Sequence, residues 1–131
     1  MSIPTLDRHR MRQICEIVNA GMQPLQNLST LRSLNLPSDK EKEHVNTMML
    51  RGVGALEQLI DENSDFCLGS TLTMADLFFV PQMRNVVDRF KVDVSAYPRV
   101  TRLYARLKEH ESFKVTHPTV QPNAGVDPVA K

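Results

Sequence analysis

The 131-residue sequence has no tryptophan, and only 5% of its residues are aromatic. It lacks a run of about 18 apolar residues, which a membrane-spanning helix needs, and its first residues lack the apolar segment of a signal peptide. Lys and Arg number 16 against 15 Asp and Glu, so no charge excess indicates binding to nucleic acid or to an anionic membrane. Cys15 and Cys67 form no CxxC pair, which favours two reduced thiols in a cytosolic or organelle-matrix protein.

Low aromatic content together with seven methionines favours helices over strands, since strands prefer aromatic and β-branched residues. Apolar residues that recur at steps of three and four predict one long first helix, from Thr5 to Leu34. Pro24 lies inside that pattern and removes a backbone donor, so a bend is predicted near Gly21–Pro24. A capping box that begins at Ser38 predicts the start of a second helix, which extends to about Asn63.

The strongest local signal is the segment Leu72–Leu77, in which Thr73 is predicted to cap a third helix together with Asp76. The residues that follow are apolar on nearly every side, which predicts that this helix is the buried centre of the fold. We expect it to bend at Pro81 and to continue to about Phe90. The pattern as a whole describes a central helix surrounded by others.

A further helix is predicted to begin with a proline in its first turn, at Pro98. Prolines and a glycine near the carboxyl end predict an extended, flexible tail. The sequence therefore predicts an all-α bundle of about five helices, in which the first and central helices are bent. We expect residues 1–122 to form this helical domain and residues 123–131 to form the tail.

One pair of residues, Glu41 and His44, has the Glu-x-x-His spacing of di-iron bundles. Such a site requires a second pair and two more inward glutamates, and the sequence offers no second pair. No metal site is predicted, and we interpret the pair as part of a solvated first helical turn.

Two polar groupings leave their role open. Gln23, Gln26 and Asn27 share one helix face beside the bend, where they are either surface residues or the contacts of a peptide-like ligand. Arg84 and Arg89 lie on the apolar central helix, where an arginine must be paired or must face a cavity or solvent. The residues alone favour a structural role for both arginines.

Several short motifs occur in order along the chain: Gln23-Pro-Leu-Gln-Asn-Leu-Ser29, Gly54-Ala-Leu-Glu-Gln58, Cys67-Leu-Gly69, Leu72-Thr-Met-Ala-Asp76, Val80-Pro-Gln82, Arg89-Phe-Lys-Val-Asp93, Tyr97-Pro98 and His117-Pro-x-x-Gln-Pro122. Together they resemble the C-terminal helical domain of zeta-class glutathione transferases, the maleylacetoacetate isomerases. The resemblance spans about residues 6–122. It implies a glutathione-dependent cis–trans isomerase of tyrosine and phenylalanine catabolism, in which the glutathione thiolate adds to a conjugated double bond, the bond rotates, and the thiol is expelled.

The resemblance also implies roles for individual residues. Gln23, Asn27, Leu28 and Ser29 match family positions that bind glutathione, and Arg89 matches an arginine that holds a substrate carboxylate. It further implies a thioredoxin-like domain as partner, a homodimer and a small-molecule substrate. The expectation is no nucleic-acid partner, no membrane partner and a cytoplasmic location.

Three features of the sequence differ from the family pattern, one of which is that His44 stands where the family usually has Trp and Ser70 where it usually has Asp. The thioredoxin-like half with its Ser-Ser-Cys motif is missing from these 131 residues, so we expect no turnover by the chain alone, since nothing activates the thiol. The spacing between Asn85 and Arg89 is one residue longer than in the family, which turns an α-helix by about 100°. Arg89 then keeps its place only if a π-bulge or the helix end takes up the extra residue.

Two hypotheses about function follow. In the first, the chain is the helical half of a working isomerase. The alternative is a non-catalytic helical module, derived from a glutathione transferase, that serves interaction or assembly. We expect an exposed apolar patch beside Gln23–Asn27, where the thioredoxin-like half would pack.

Overall fold

The computed structural model describes residues 4–125, and within this range it contains helices and no β-strand. Seven α-helices, one π-helix and one 3₁₀-helix follow each other along these residues. Their bounds are α1 Thr5–Gly21, α2 Gln23–Gln26, α3 Leu28–Leu34, α4 Ser38–Leu59, α5 Met74–Arg84, the π-helix Asn85–Arg89, α6 Pro98–Leu107, α7 Glu111–Val115 and the 3₁₀-helix Pro118–Val120. The predicted all-α fold is confirmed.

The first predicted helix is divided into α1, α2 and α3 by two breaks. The first break lies at Met22, in the predicted bend, where φ is −121° and ψ is −56°. The second break, at Asn27, was not predicted, and the single bent helix is wrong in this respect. Asn27 has an extended backbone with ψ at 133°, and its side chain caps the helix that follows by accepting a hydrogen bond from the Ser29 backbone N–H.

Helix α4 crosses the bundle and buries one apolar face, which consists of Val45, Met49, Gly52, Val53 and Leu56. The capping box predicted at Ser38 is absent, because Pro37 occupies the cap position and Ser38 is already helical. The helix ends at Leu59 rather than near Asn63, since Ile60 is extended.

Helix α5 starts as predicted. The Asp76 carboxyl group accepts hydrogen bonds from the Thr73 backbone N–H at 2.8 Å and from the Thr73 hydroxyl at 3.0 Å. The predicted burial of this helix is confirmed for the face with Ala75, Phe79, Val80 and Met83, and it is wrong for Leu77, which is 50% exposed. Met74, one turn before it, is 52% exposed. An apolar run all around a helix does not tell which side lacks a neighbour.

Helix α6 is held against α4 at its amino end. The two Glu57 carboxylate oxygens accept hydrogen bonds from the backbone N–H groups of Arg99 and Val100, at 3.1 and 2.9 Å. A carboxylate at a helix amino end satisfies donors that have no partner within the helix. This contact fixes the start of α6, which begins at Pro98 as predicted.

The core lies between α1, α4, α5 and α6, whose inward side chains form one continuous apolar cluster. Within residues 4–125, no helix is both long and apolar enough to cross a membrane. Of the tail predicted for residues 123–131, the structure describes residues 123–125, which form a turn; residues 126–131 lie outside the described residues.

Candidate functional site

An open pocket of about 430 Å³ lies where the break between α1 and α3 meets the carboxyl end of the central helix. It is lined by Gln23, Gln26, Asn27, Leu28 and Arg89. Four of the five residues singled out by the family resemblance are therefore brought together, although more than 60 positions separate Leu28 from Arg89. The fifth, Ser29, lies next to the pocket and does not line it.

The extra residue between Asn85 and Arg89 is taken up by the π-helix. The Phe90 backbone N–H donates to the Asn85 carbonyl at 2.9 Å, a hydrogen bond that spans five residues instead of four. A π-turn accommodates one residue more than an α-turn, and such turns are frequent at functional sites. Arg89 therefore reaches the pocket. An uninterrupted α-helix with the same insertion would have turned the Arg89 side chain away from it.

Arg89 is exposed, and its guanidinium has no hydrogen-bond or ion-pair partner among residues 4–125. Its carbon Cζ lies 5.0 Å from the centroid of the Phe90 ring, at the distance of a cation–π contact. Since the donors of the guanidinium fork are unused, the side chain is able to accept a carboxylate in the two-bond geometry that guanidinium groups favour.

Asn27 serves both the fold and the pocket. Its Oδ1 accepts hydrogen bonds from the Ser29 backbone N–H at 3.0 Å and from the Ser29 hydroxyl at 2.9 Å. The Asn27 oxygen is therefore used by the helix cap, while its Nδ2 group retains two donors for a ligand. Ser29 thus holds the Asn27 side chain in place at the edge of the pocket.

Gln26 differs from the other pocket amides because it is buried. Its side chain pairs with Gln82 of helix α5 through two hydrogen bonds. No role is predicted for Gln82 from the sequence. The signal that could have singled it out is an amide within the apolar central helix, because a buried polar group needs a partner.

The π-helix is tied to α6 on its other side. The Tyr104 hydroxyl donates to Asp88 Oδ2 at 2.8 Å. Burial raises the pKa of Tyr104, and the hydrogen bond to Asp88 raises it further. Tyr104 therefore remains a hydrogen-bond donor to Asp88 throughout the physiological pH range.

A second pocket, of about 490 Å³, lies on the other side of the central helix. Arg84, Asp88 and Tyr104 line it, together with α7 and the 3₁₀-helix. Arg84 has no hydrogen-bond or ion-pair partner in the part of the chain that the structure describes. The two arginines of the central helix thus face two different pockets.

Neither cysteine is suited to act as a nucleophile. Both are buried, and burial raises the pKa of each thiol. A reactive cysteine requires an exposed thiol with a lowered pKa. The described residues also contain no group of three or more His, Cys, Asp or Glu side chains that could hold a metal ion.

Comparison with known proteins identifies the family. The sequence model of the family "Glutathione S-transferase, C-terminal domain" matches residues 29–115. The matched range covers more than half of the chain and includes helices α4 to α7. The protein belongs to the glutathione S-transferase C-terminal domain family.

The curated relatives include maleylacetoacetate isomerases. The probable maleylacetoacetate isomerase 1 of Drosophila melanogaster is 38% identical over 117 residues, which cover 88% of this chain and 46% of the fly protein. The chain spans about half the length of the curated relatives it matches.

Two solved structures of maleylacetoacetate isomerase from Anaeromyxobacter dehalogenans 2CP-1 have the same fold. One, with bound dicarboxyethyl glutathione and citrate in the active site, is 34% identical with a TM-score of 0.86, and the match covers 98% of this chain and 58% of that one. The other, with bound GSH in the active site, is 34% identical with a TM-score of 0.85 and covers 95% of this chain and 58% of that one.

Proposed function

We propose that the chain forms the helical half of a glutathione-dependent cis–trans isomerase that acts on maleylacetoacetate or a similar substrate of tyrosine and phenylalanine catabolism. Gln23, Asn27, Leu28 and Ser29 then contribute to glutathione binding, and Arg89 holds a substrate carboxylate. The observation that carries the proposal is the pocket of about 430 Å³, in which the break after α1 and the end of the central helix present these side chains together.

The side chains at the break fit a tripeptide. Gln23 is exposed and offers both a carbonyl acceptor and two N–H donors, which match the groups of a peptide bond. The Asn27 Nδ2 donors are directed by the cap that fixes the Asn27 oxygen. Leu28 adds an apolar surface to the same pocket wall. The relative from Anaeromyxobacter dehalogenans has GSH bound in its active site, which supports this assignment.

Arg89 fits the carboxylate that a maleylacetoacetate-like substrate carries. The guanidinium is exposed, has no partner among the described residues and packs over Phe90, which limits its movement. The relative that binds dicarboxyethyl glutathione and citrate in its active site binds ligands rich in carboxylates. This supports the assignment of Arg89 to the substrate side of the pocket.

Isomerisation also requires a group that lowers the pKa of the glutathione thiol, because the thiolate is what adds reversibly to the conjugated double bond. The five residues that line the pocket include no hydroxyl, imidazole or thiol. We therefore assign thiol activation to a thioredoxin-like domain that packs against this helical domain. The exposed apolar side chains Met74 and Leu77 on α5 support such a partner, since an exposed apolar stripe marks an interaction surface.

A complementation experiment tests the proposal. The chain is mixed with a separately produced thioredoxin-like domain of a maleylacetoacetate isomerase, and the isomerisation of maleylacetoacetate is measured. We expect turnover in the mixture and none from either part alone. Turnover by the 131-residue chain alone would contradict thiol activation by a partner, and an inactive mixture that still forms a complex would favour the non-catalytic interaction module.

Titration of glutathione into the chain, followed by NMR, tests the binding residues separately. We expect binding that Gln23→Ala weakens at least tenfold. The matched control is Gln13→Ala, which removes an exposed glutamine of α1 outside the pocket. Equal affinity of the Gln23→Ala variant and the wild-type chain would argue against the amide face as the glutathione site. Sedimentation and cell fractionation test the accompanying expectations of a homodimer and a cytoplasmic location.

A further inference from the structure

The short segment between α1 and α3, residues 22–27, carries most of the pocket side chains but has little helical structure of its own. Helix α2 is only four residues long. A helix of this length is not stable by itself, because nucleation costs more than one turn of hydrogen bonds returns. The placement of Gln23 and Asn27 therefore depends on what anchors the segment to the rest of the bundle.

One anchor is Met22, which is fully buried against helix α4. A Cβ atom added to Gly52 would lie 2.4 Å from Met22 Cγ and 2.6 Å from Met22 Sδ. Real Cβ contacts are never that short, so the methionine occupies a space that exists only because residue 52 has no side chain. We call this space beside Gly52 the notch of α4, and the start of the segment is fixed by the Met22 side chain that fills it.

The second anchor is the buried amide pair of Gln26 and Gln82. Gln26 Nε2 donates to Gln82 Oε1 at 3.0 Å, and Gln82 Nε2 donates to Gln26 Oε1 at 2.8 Å. Gln26 is 7% exposed and Gln82 is fully buried. The hydrogen bonds between the two buried amides are directional, unlike apolar contacts. They therefore specify one placement of α2 relative to α5.

The two anchors and the pocket side chains alternate along the segment. Met22 and Gln26 are four residues apart and point into the bundle, whereas Gln23 and Asn27 follow each of them by one residue and are exposed. Gln82 precedes Arg89 by seven residues on the continuous run of α5 and the π-helix. The amide pair therefore links the two walls of the pocket, one with the amides and the other with the guanidinium.

We propose that Gln82, acting through Gln26, and Gly52, acting through Met22, are positioning residues that set the distance between the amide wall and Arg89. The inference rests on the proposed glutathione pocket. It assigns to Gln82 and Gly52 a role in ligand affinity, although neither residue lines the pocket.

The first test compares two glycine variants of the same helix. Gly52→Ala forces Met22 to move, whereas a Cβ at Gly54 would lie 3.4 Å from Tyr97 Cε1, an ordinary van der Waals contact. We expect Gly52→Ala to weaken glutathione binding at least tenfold and Gly54→Ala to leave it unchanged. Equal affinities of the two variants would overturn the role of the notch.

The second test separates positioning from stability. Gln82→Leu removes the amide pair, and Val100→Ala removes buried apolar volume from α6, away from the pocket. Both variants should unfold at lower temperature, but only Gln82→Leu should weaken glutathione binding, at least tenfold, when both are measured well below their unfolding temperatures. If Val100→Ala weakens binding as much, or Gln82→Leu not at all, the positioning role of Gln82 is wrong. Gln82→Glu keeps one acceptor for Gln26 and serves in its place if the leucine variant does not fold.

A measurement without ligand distinguishes this inference from the proposed function. Amide hydrogen exchange of residues 25–31 should speed up at least tenfold in Gln82→Leu and should stay unchanged in Val100→Ala. If the wild-type chain binds no glutathione but this exchange pattern is found, the proposed ligand is wrong and the positioning of the segment stands. Unchanged exchange in Gln82→Leu overturns the positioning role irrespective of glutathione.

Discussion

At the amino end of the central helix, Asp76 is fully buried, and its carboxyl group accepts three hydrogen bonds, from the Thr73 N–H, the Thr73 hydroxyl and the Cys67 N–H. At the carboxyl end, Arg89 is exposed and has no polar partner among residues 4–125. Both residues are charged types on one helical run. The difference shows where the fold uses its polar groups for itself and where it leaves them for a ligand.

The amino end of the central helix, which we call closed because its polar groups bind each other, should contribute more to the free energy of unfolding than the open carboxyl end. Asp76→Ala leaves three donors without their acceptor in a buried site, and we expect the free energy of unfolding to fall by about 3 kcal/mol or more. Urea denaturation followed by circular dichroism measures this loss. The control is Asp93→Ala, because Asp93 is exposed and accepts one local hydrogen bond from the Ser95 N–H. A loss for Asp76→Ala no larger than that for Asp93→Ala would break the comparison.

The open carboxyl end should control binding instead. Arg89→Ala should lower the free energy of unfolding by no more than about 1 kcal/mol, since the guanidinium has no hydrogen bond or ion pair with a described residue and loses only its exposed cation–π contact with Phe90. The same variant should weaken binding of dicarboxyethyl glutathione about tenfold, or about 1.4 kcal/mol, because the carboxylate loses its partner. Calorimetric titration of the assembled two-domain complex measures the affinity.

Arg84→Ala is the matched control for this prediction, because Arg84 lies on the same helical run, also lacks a described partner and lines the other pocket. An affinity loss of equal size in Arg84→Ala would show that general positive charge, rather than the place of Arg89, determines binding.

The two ends also differ in how far the sequence predicts them. Thr73 and Asp76 are three residues apart, and a cap depends only on such local spacing, so the start of α5 is readable from the sequence. The pairing of Gln26 with Gln82 spans 56 positions, and no local pattern reports which distant side chain a buried amide meets. The π-helix is intermediate in how far the sequence predicts it. The extra residue before Arg89 indicates either a π-bulge or a helix end, but the sequence does not tell which of the two occurs.

The exposed stripe on α5 was also beyond prediction from the sequence. Leu77 begins the apolar run that predicts burial, but burial depends on whether another element covers that side. Within residues 4–125, none does. Hydrophobic periodicity thus predicts the helix but does not predict which elements pack against it.

The Tyr104–Asp88 hydrogen bond tests whether the carboxyl end depends on its tie to α6. Tyr104→Phe removes a bond to a partly solvated carboxylate, so we expect the free energy of unfolding to fall by about 1 kcal/mol. The control is Tyr97→Phe, because the Tyr97 hydroxyl makes no hydrogen bond with a described residue. If Tyr104→Phe and Tyr97→Phe are equally stable, the Tyr104 hydroxyl does not stabilise the π-helix.

The smallest expected effect concerns alkaline pH and again involves the closed end. Burial raises the pKa of Cys67, the nearby Asp76 carboxyl group raises it further, and burial likewise raises the pKa of Cys15. In the unfolded chain the thiols lose protons near their ordinary pKa of 9.0, whereas in the folded chain they keep them. Stability is therefore highest below that pH and falls as the pH rises. Cys67 accounts for about 0.4 kcal/mol of the fall between pH 7 and pH 9, and Cys15 adds to it in the same direction. Urea denaturation at the two pH values should show this fall in the wild-type chain and a smaller fall in the Cys15→Ala/Cys67→Ala variant. If the free energy of unfolding changes equally with pH in both proteins, the closed end does not hold its thiols protonated.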